Sequence, residues 1–212
     1  MVTRMHNRLL VACADVGSVA SGNFGWWACD GRFGQEPSTL AHTVATALDD
    51  GVPVALGFEC PLFVPLRDDE TCLTRARPGE GSRAWSAGAG CGALATGIVQ
   101  VAWVLRAVRE ALRSPCAAFL DWHAFSAAGS GLLLWEAFVS GSGKGVDHLA
   151  DAKRGATALL RALPTPLLAT AVHPDGPVYS LAGAALLRTG WTESVALLAE
   201  PCLVIKAAQN AA

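Results

Sequence analysis

Charge is scarce in this 212-residue chain. Asp, Glu, Lys and Arg make up 16% of it, against about 25% in an ordinary globular protein. Hydrophobic residues make up 52%, which excludes a disordered chain. The net charge is −2 and the isoelectric point near 6.2. That argues against a dedicated nucleic-acid coat protein, but not against an enzyme that meets nucleic acid only at its active site. No helix stands out as a basic track for a duplex.

Several motifs are also missing. The cysteines are Cys13, Cys29, Cys60, Cys72, Cys91, Cys116 and Cys202. Their number is odd and none forms a C-x-x-C pair, so a disulfide framework and a thiolate zinc site are both disfavoured. Reduced thiols, mostly buried, in a cytoplasmic protein are expected. Gly141–Gly145 lacks the phosphate-loop pattern and reads as a flexible linker. There is no G-x-S-x-G nucleophile elbow and no internal repeat. Met1–Arg8 and the apolar run broken at Asp15 do not make a signal peptide. Residues 84–105 are uncharged and long enough for a bilayer. Gly88, Gly90, Gly92, Gly97, Ser86, Thr96 and Gln100 dilute the stretch, so a buried helix is expected and no membrane association.

The patterning that is present alternates strands and helices. Leu9–Val16 and Asn23–Cys29 read as a hairpin, with a short third strand after Asp30-Gly31. Pro37 opens a helix that Asp49-Asp50-Gly51 stops. Val52–Phe58 is a strand. Residues 60–84 form a long arginine-containing loop. A helix follows around Trp85–Val104, then strands at Ala117–Trp122 and Leu132–Val139. Asp147–Leu163 and Val178–Leu187 read as helices, and Cys202–Lys206 as a last strand. The expectation is a single α/β domain over 1–212, with a mixed sheet flanked by helices.

Three apolar strands end at or near an acid: Asp15, Glu59 and Glu136. Burying a carboxylate costs several kcal/mol unless it is paired or binds a metal. The stretch Asp147-His148-Leu149-Ala150-Asp151 adds a fourth group, with side chains that share a helical face. An acidic first turn favoured by the helix dipole explains that stretch equally well. Arg67, Arg75, Arg77 and Arg83 crowd into the loop after Glu59. They suit an anionic substrate, or they pair with Asp68, Asp69, Glu70 and Glu80 at the surface. The Gly79–Gly81 turn and a helix start near Ser82–Ser86 would add N–H donors for an anion. Trp26-Trp27 is a candidate stacking platform.

With Asp15-Val16-Gly17-Ser18, Gly57-Phe58-Glu59-Cys60-Pro61, Glu136, the Asp147/His148/Asp151 stretch and Arg77-Pro78-Gly79-Glu80-Gly81-Ser82-Arg83-Ala84-Trp85-Ser86, the chain resembles an uncharacterised bacterial family of ribonuclease H-like nucleases. The resemblance runs from about residue 9 to 206. It implies a ribonuclease H-like fold and a nuclease, or another phosphate-ester hydrolase, dependent on Mg²⁺ or Mn²⁺. Junction resolvases of the RuvC type are similar in using a late-helix pair, in some members a His and an Asp three apart. The implied catalytic residues are Asp15, Glu59, His148 and Asp151. The oxygen donors Asp15, Glu59, Glu136, Asp147 and Asp151 are the metal-ligand candidates. Arg67, Arg75, Arg77, Arg83 and Ser18 are the substrate-binding candidates, and the partner is a nucleic acid or nucleotide. Two alternatives stand beside this. One is a non-catalytic nucleotide- or anion-binding relative. The other is a small ATP phosphotransferase completed as a homodimer, because Asp15–Ser18 also resembles the first phosphate loop of actin-like and sugar-kinase proteins.

Overall fold

The computed structural model describes residues 8–207. Its centre is a mixed seven-stranded sheet. Strands β1 (Leu10–Asp15), β2 (Gly25–Ala28) and β3 (Phe33–Gly34) pair antiparallel. β4 (Val54–Phe58) pairs parallel with β1 on its other side. The small residues Gly17–Gly22 turn the hairpin, and Gln100 bonds both the N–H and the C=O of Gly17.

Residues 60–84 are not wholly irregular. Phe63–Pro65 forms β5, which pairs with β8 (Val178–Ser180) in a separate two-stranded ladder. Residues 117–122, expected as one strand, divide into β6 (Ala118–Phe119) and the start of a helix capped by the Asp121 side chain. β7 (Leu132–Phe138) pairs parallel with β4. β6 and β9 (Val204–Lys206) share its other edge end to end.

The helices are α1 (Pro37–Asp49), α2 (Gly88–Ala111), α3 (Trp122–Ala128), α4 (His148–Ala162) and α5 (Leu181–Arg188). Helix α2 starts at Gly88 rather than near Ser82–Ser86. Residues 178–180, expected as helix, are strand β8. There the Ser180 hydroxyl accepts the Gly183 N–H to cap α5.

β1 shows why the sheet has two cores. Leu10, Ala12 and Ala14 face α1 and α2, whereas Leu9, Val11 and Cys13 face α3 and α4. This two-residue alternation fixes which face each side chain serves. α2 is long and apolar enough to cross a bilayer, with a hydropathy of 1.6. Its Val101, Val104, Leu105 and Val108 are buried in the sheet-facing core, but Ile98, Val99 and Trp103 are exposed and only 28% of its most apolar stretch is buried, so it is less enclosed than the buried helix expected. Of the seven free cysteines, Cys13, Cys60 and Cys202 are buried, while Cys91 is exposed and the others are intermediate. Burial pushes the three buried thiols up, which removes them as nucleophiles.

Candidate metal centre at the strand ends

β1, β4 and β7 run parallel, and their register places Ala14, Phe58 and Glu136 level with one another. Asp15 and Glu59 each follow one residue later. The pleat therefore turns Asp15 and Glu59 towards α4 and Glu136 towards the opposite face.

On the α4 face the first turn of the helix completes the group. Gly25 lies opposite Asp15 on β2. A Cβ there would stand 2.6 Å from the carbonyl carbon of His148, so the bare backbone lets α4 approach β1. A Cβ on Gly155 would lie 2.8 Å from the Cys13 sulfur, and its absence brings the middle of α4 equally close. His148 Nδ1 then sits 2.5 Å from Asp15 Oδ2. One oxygen each of Asp15, Glu59 and Asp151 lies within 4.8 Å of the others.

The charges in this group do not balance locally. Lys144 Nζ lies 3.1 Å from Asp151 Oδ2 and 3.4 Å from Glu59 Oε1. The Gly145 N–H donates to the other Asp151 oxygen. Glu59 Oε2 is buried and accepts no hydrogen bond among the described residues. Burial, then the neighbouring charge of Asp15, pushes the Glu59 carboxyl up to about 9 against the pull of Lys144. Burial also raises Asp15, opposed by its bond to His148.

Beside the carboxylates opens a cavity of about 240 Å³. Arg83, Trp85 and Phe138 help to line it, together with Asp15, Glu59 and His148. A few polar groups in a mostly apolar hollow are the usual make-up of a small-ligand site.

Glu136 is no member of the ligand set. Both its oxygens are taken by Arg77, at 2.6 Å and 2.9 Å, and Oε2 also accepts the Leu62 N–H at 2.9 Å. Asp147 is corrected too. It is the N-cap of α4, and its side chain accepts the Ala150 N–H at 2.7 Å.

The arginine loop divides. Arg77 borders the cavity but is buried, with its nitrogens engaged by Glu136, Glu80 and the Phe63 carbonyl, so it holds the loop in place. Arg67 pairs with Asp175 at 2.9 Å and bonds the Ala76 carbonyl. Arg75 is exposed and does not line the cavity; Arg83 does. Ser18 is exposed, bonds Ser21 and does not line the cavity. Trp26 is buried with its indole N–H on Thr39, so it offers no stacking face.

Lys144 went unnoticed in the sequence because Gly141–Gly145 reads as a linker. The available cue was a lone cation, the first after Arg113, seven residues before Asp151. No family model, curated protein or solved structure matches this chain.

Proposed function

We propose that the chain is a divalent-metal-dependent phosphodiester or phosphate-ester hydrolase of the ribonuclease H-like type, with a nuclease as the leading form. The observation that carries this reading is the meeting of Asp15, Glu59 and Asp151 from three separate elements, with one buried Glu59 oxygen lacking a donor. The strand order β3-β2-β1-β4-β7, antiparallel and then parallel, supports the fold assignment. Hard carboxylate oxygens and no soft donor in the group suit Mg²⁺ or Mn²⁺. Asp15, Glu59 and Asp151 would hold the ion, which supplies Lewis-acid stabilisation of a phosphoryl oxygen and activation of water.

The chain's own groups do the rest. Asp15 fixes the His148 ring through Nδ1, which leaves Nε2 as the nitrogen that takes or delivers a proton. Arg83, at the cavity wall, offers a guanidinium to a phosphate. Trp85 and Phe138 present apolar surface that excludes water.

One observation favours a second reading. Lys144 already lies against two of the acids, so the ammonium itself would serve as the resident cation of a non-catalytic anion-binding site.

A Mn²⁺ titration by calorimetry separates the two. The metal reading expects binding to wild type, loss in Asp15→Asn, and several-fold tighter binding in Lys144→Met, where the competing cation is gone. It also expects metal-dependent cleavage of a labelled oligonucleotide, abolished in folded Asp15→Asn. The lysine reading expects no Mn²⁺ uptake by wild type and a lower melting temperature in Lys144→Met.

A further inference from the structure

Although no basic helix stands out in the sequence, the fold assembles a basic surface. A groove of about 490 Å³ runs between α4, the 3-10 turn Pro166–Ala169 and β9. Lys153, Arg154, Arg161 and Lys206 line it, and no Asp or Glu does. Four of the sixteen cations therefore meet in one concave strip. Four arginines elsewhere are neutralised: Arg32 by Asp30, Arg67 by Asp175, Arg77 by Glu80 and Glu136, Arg113 by Asp49. Lys153, Arg161 and Lys206 make no salt bridge among the described residues. Lys153 and Lys206 instead stand over aromatic rings, Trp27 at 5.8 Å and Phe138 at 5.2 Å. Unneutralised cations on one face of a chain whose net charge is −2 raise the local potential for a polyanion.

The groove and the carboxylate cavity share no lining residue, but both border helix α4. Phe138, under Lys206, also lines the cavity beside Asp15 and Glu59. Arg154 reaches back to the Gly143 carbonyl at 3.0 Å, in the turn that carries Lys144. The groove begins at Ala150, beside Asp151, and continues to Ala162. At 1.5 Å per residue that is about 18 Å, the length of about five nucleotides at 3.4 Å per phosphate along a stacked strand.

We infer that this groove is a phosphate track that holds a nucleic-acid strand and leads it to the carboxylate site. The inference rests on the nuclease reading for what lies at the end of the track, but binding in the groove needs no metal. A nucleic acid fits better than an anionic bilayer because the cations line a hollow, which admits a strand and turns away from a flat surface.

The test is fluorescence anisotropy with a labelled 20-nucleotide single strand, in EDTA, between 50 and 200 mM NaCl. Three proteins are compared: wild type, the variant Lys153→Gln/Arg161→Gln/Lys206→Gln, and a charge-matched control, Arg8→Gln/Arg106→Gln/Arg188→Gln, altered on exposed positions outside the groove. Thermal melts verify that all three fold. The groove variant should weaken binding at least ~30-fold and flatten the plot of log K against log salt by about 2. The control should lose less than ~3-fold. Equal losses in the two variants would overturn the track, because net charge would then be the whole effect. So would tighter, groove-dependent binding to phosphatidylserine vesicles than to the oligonucleotide. Calorimetry with Mn²⁺ keeps the two ideas separable. Metal uptake without strand binding would sink the track alone, and strand binding without metal uptake would sink the hydrolase alone.

Discussion

Two acidic clusters lie at the same end of the sheet and are built on opposite principles. On the α2 face, Glu80 and Glu136 close around Arg77, and all three side chains are buried. Arg77 holds Glu136 with two nitrogens, holds Glu80 at 2.8 Å and 2.9 Å, and stacks over the Phe63 ring. The second Glu80 oxygen accepts the Arg77 and Trp85 N–H groups. Donors and acceptors are matched; burial still pushes the Glu136 carboxyl up, opposed by its guanidinium partner. On the α4 face, three carboxylates meet one lysine and one histidine, and Glu59 Oε2 is left over. A matched buried network holds a loop in place, whereas an unmatched one stores a demand for positive charge.

The largest effect should come from the matched cluster. Arg77→Met leaves two buried carboxylates without their cation. It should cost about 3–5 kcal/mol, read as a shifted urea midpoint. A loss under ~1 kcal/mol would show that water reaches the network freely.

Next comes the unmatched cluster, where the effect depends on pH. Glu59 keeps its proton to about pH 9 in the folded chain, against 4.5 for a free side chain. Its contribution to stability is therefore neutral below 4.5 and grows more unfavourable as pH rises towards 9. Glu59→Gln should melt within a degree of wild type near pH 4.5 and roughly 3–8 °C higher at pH 8. A pH-independent difference would contradict the proton-holding role.

The smallest effect should be Arg83→Gln. This exposed arginine lines the cavity and takes part in neither network. Its stability should stay within about 0.5 kcal/mol of wild type, in contrast to its neighbour Arg77. A large loss would mean that the loop depends on both arginines.

The long apolar runs of β1, β4 and β7 and the Pro-to-Gly bounds of α1 were legible from residues alone. The grouping of Asp15 and Glu59 with His148 and Asp151 is implied by the family resemblance, not by the residues' spacing. The three-residue strands β5 and β8 carry too few positions for a period to show. Ala-rich α3 reads as a small-residue turn between two strands. The sorting of Glu136 away from Asp15 and Glu59 was hidden for a different reason. It depends on strand register, which tertiary pairing sets, and one residue of offset reverses the face. The two roles of the arginine loop were hidden likewise, because Glu136 and Arg77 are 59 positions apart.

Gly25 gives the carboxylate site its depth. The helix carrying His148 and Asp151 rests against bare backbone there, so the spacing of the acids is metered by the volume of a single absent methyl. Gly25→Ala changes no ionisable group, yet it would back the whole first turn of α4 away from Asp15. The chemistry of this protein is thus tuned by a position that has no chemistry of its own, one that a search confined to reactive side chains would pass over.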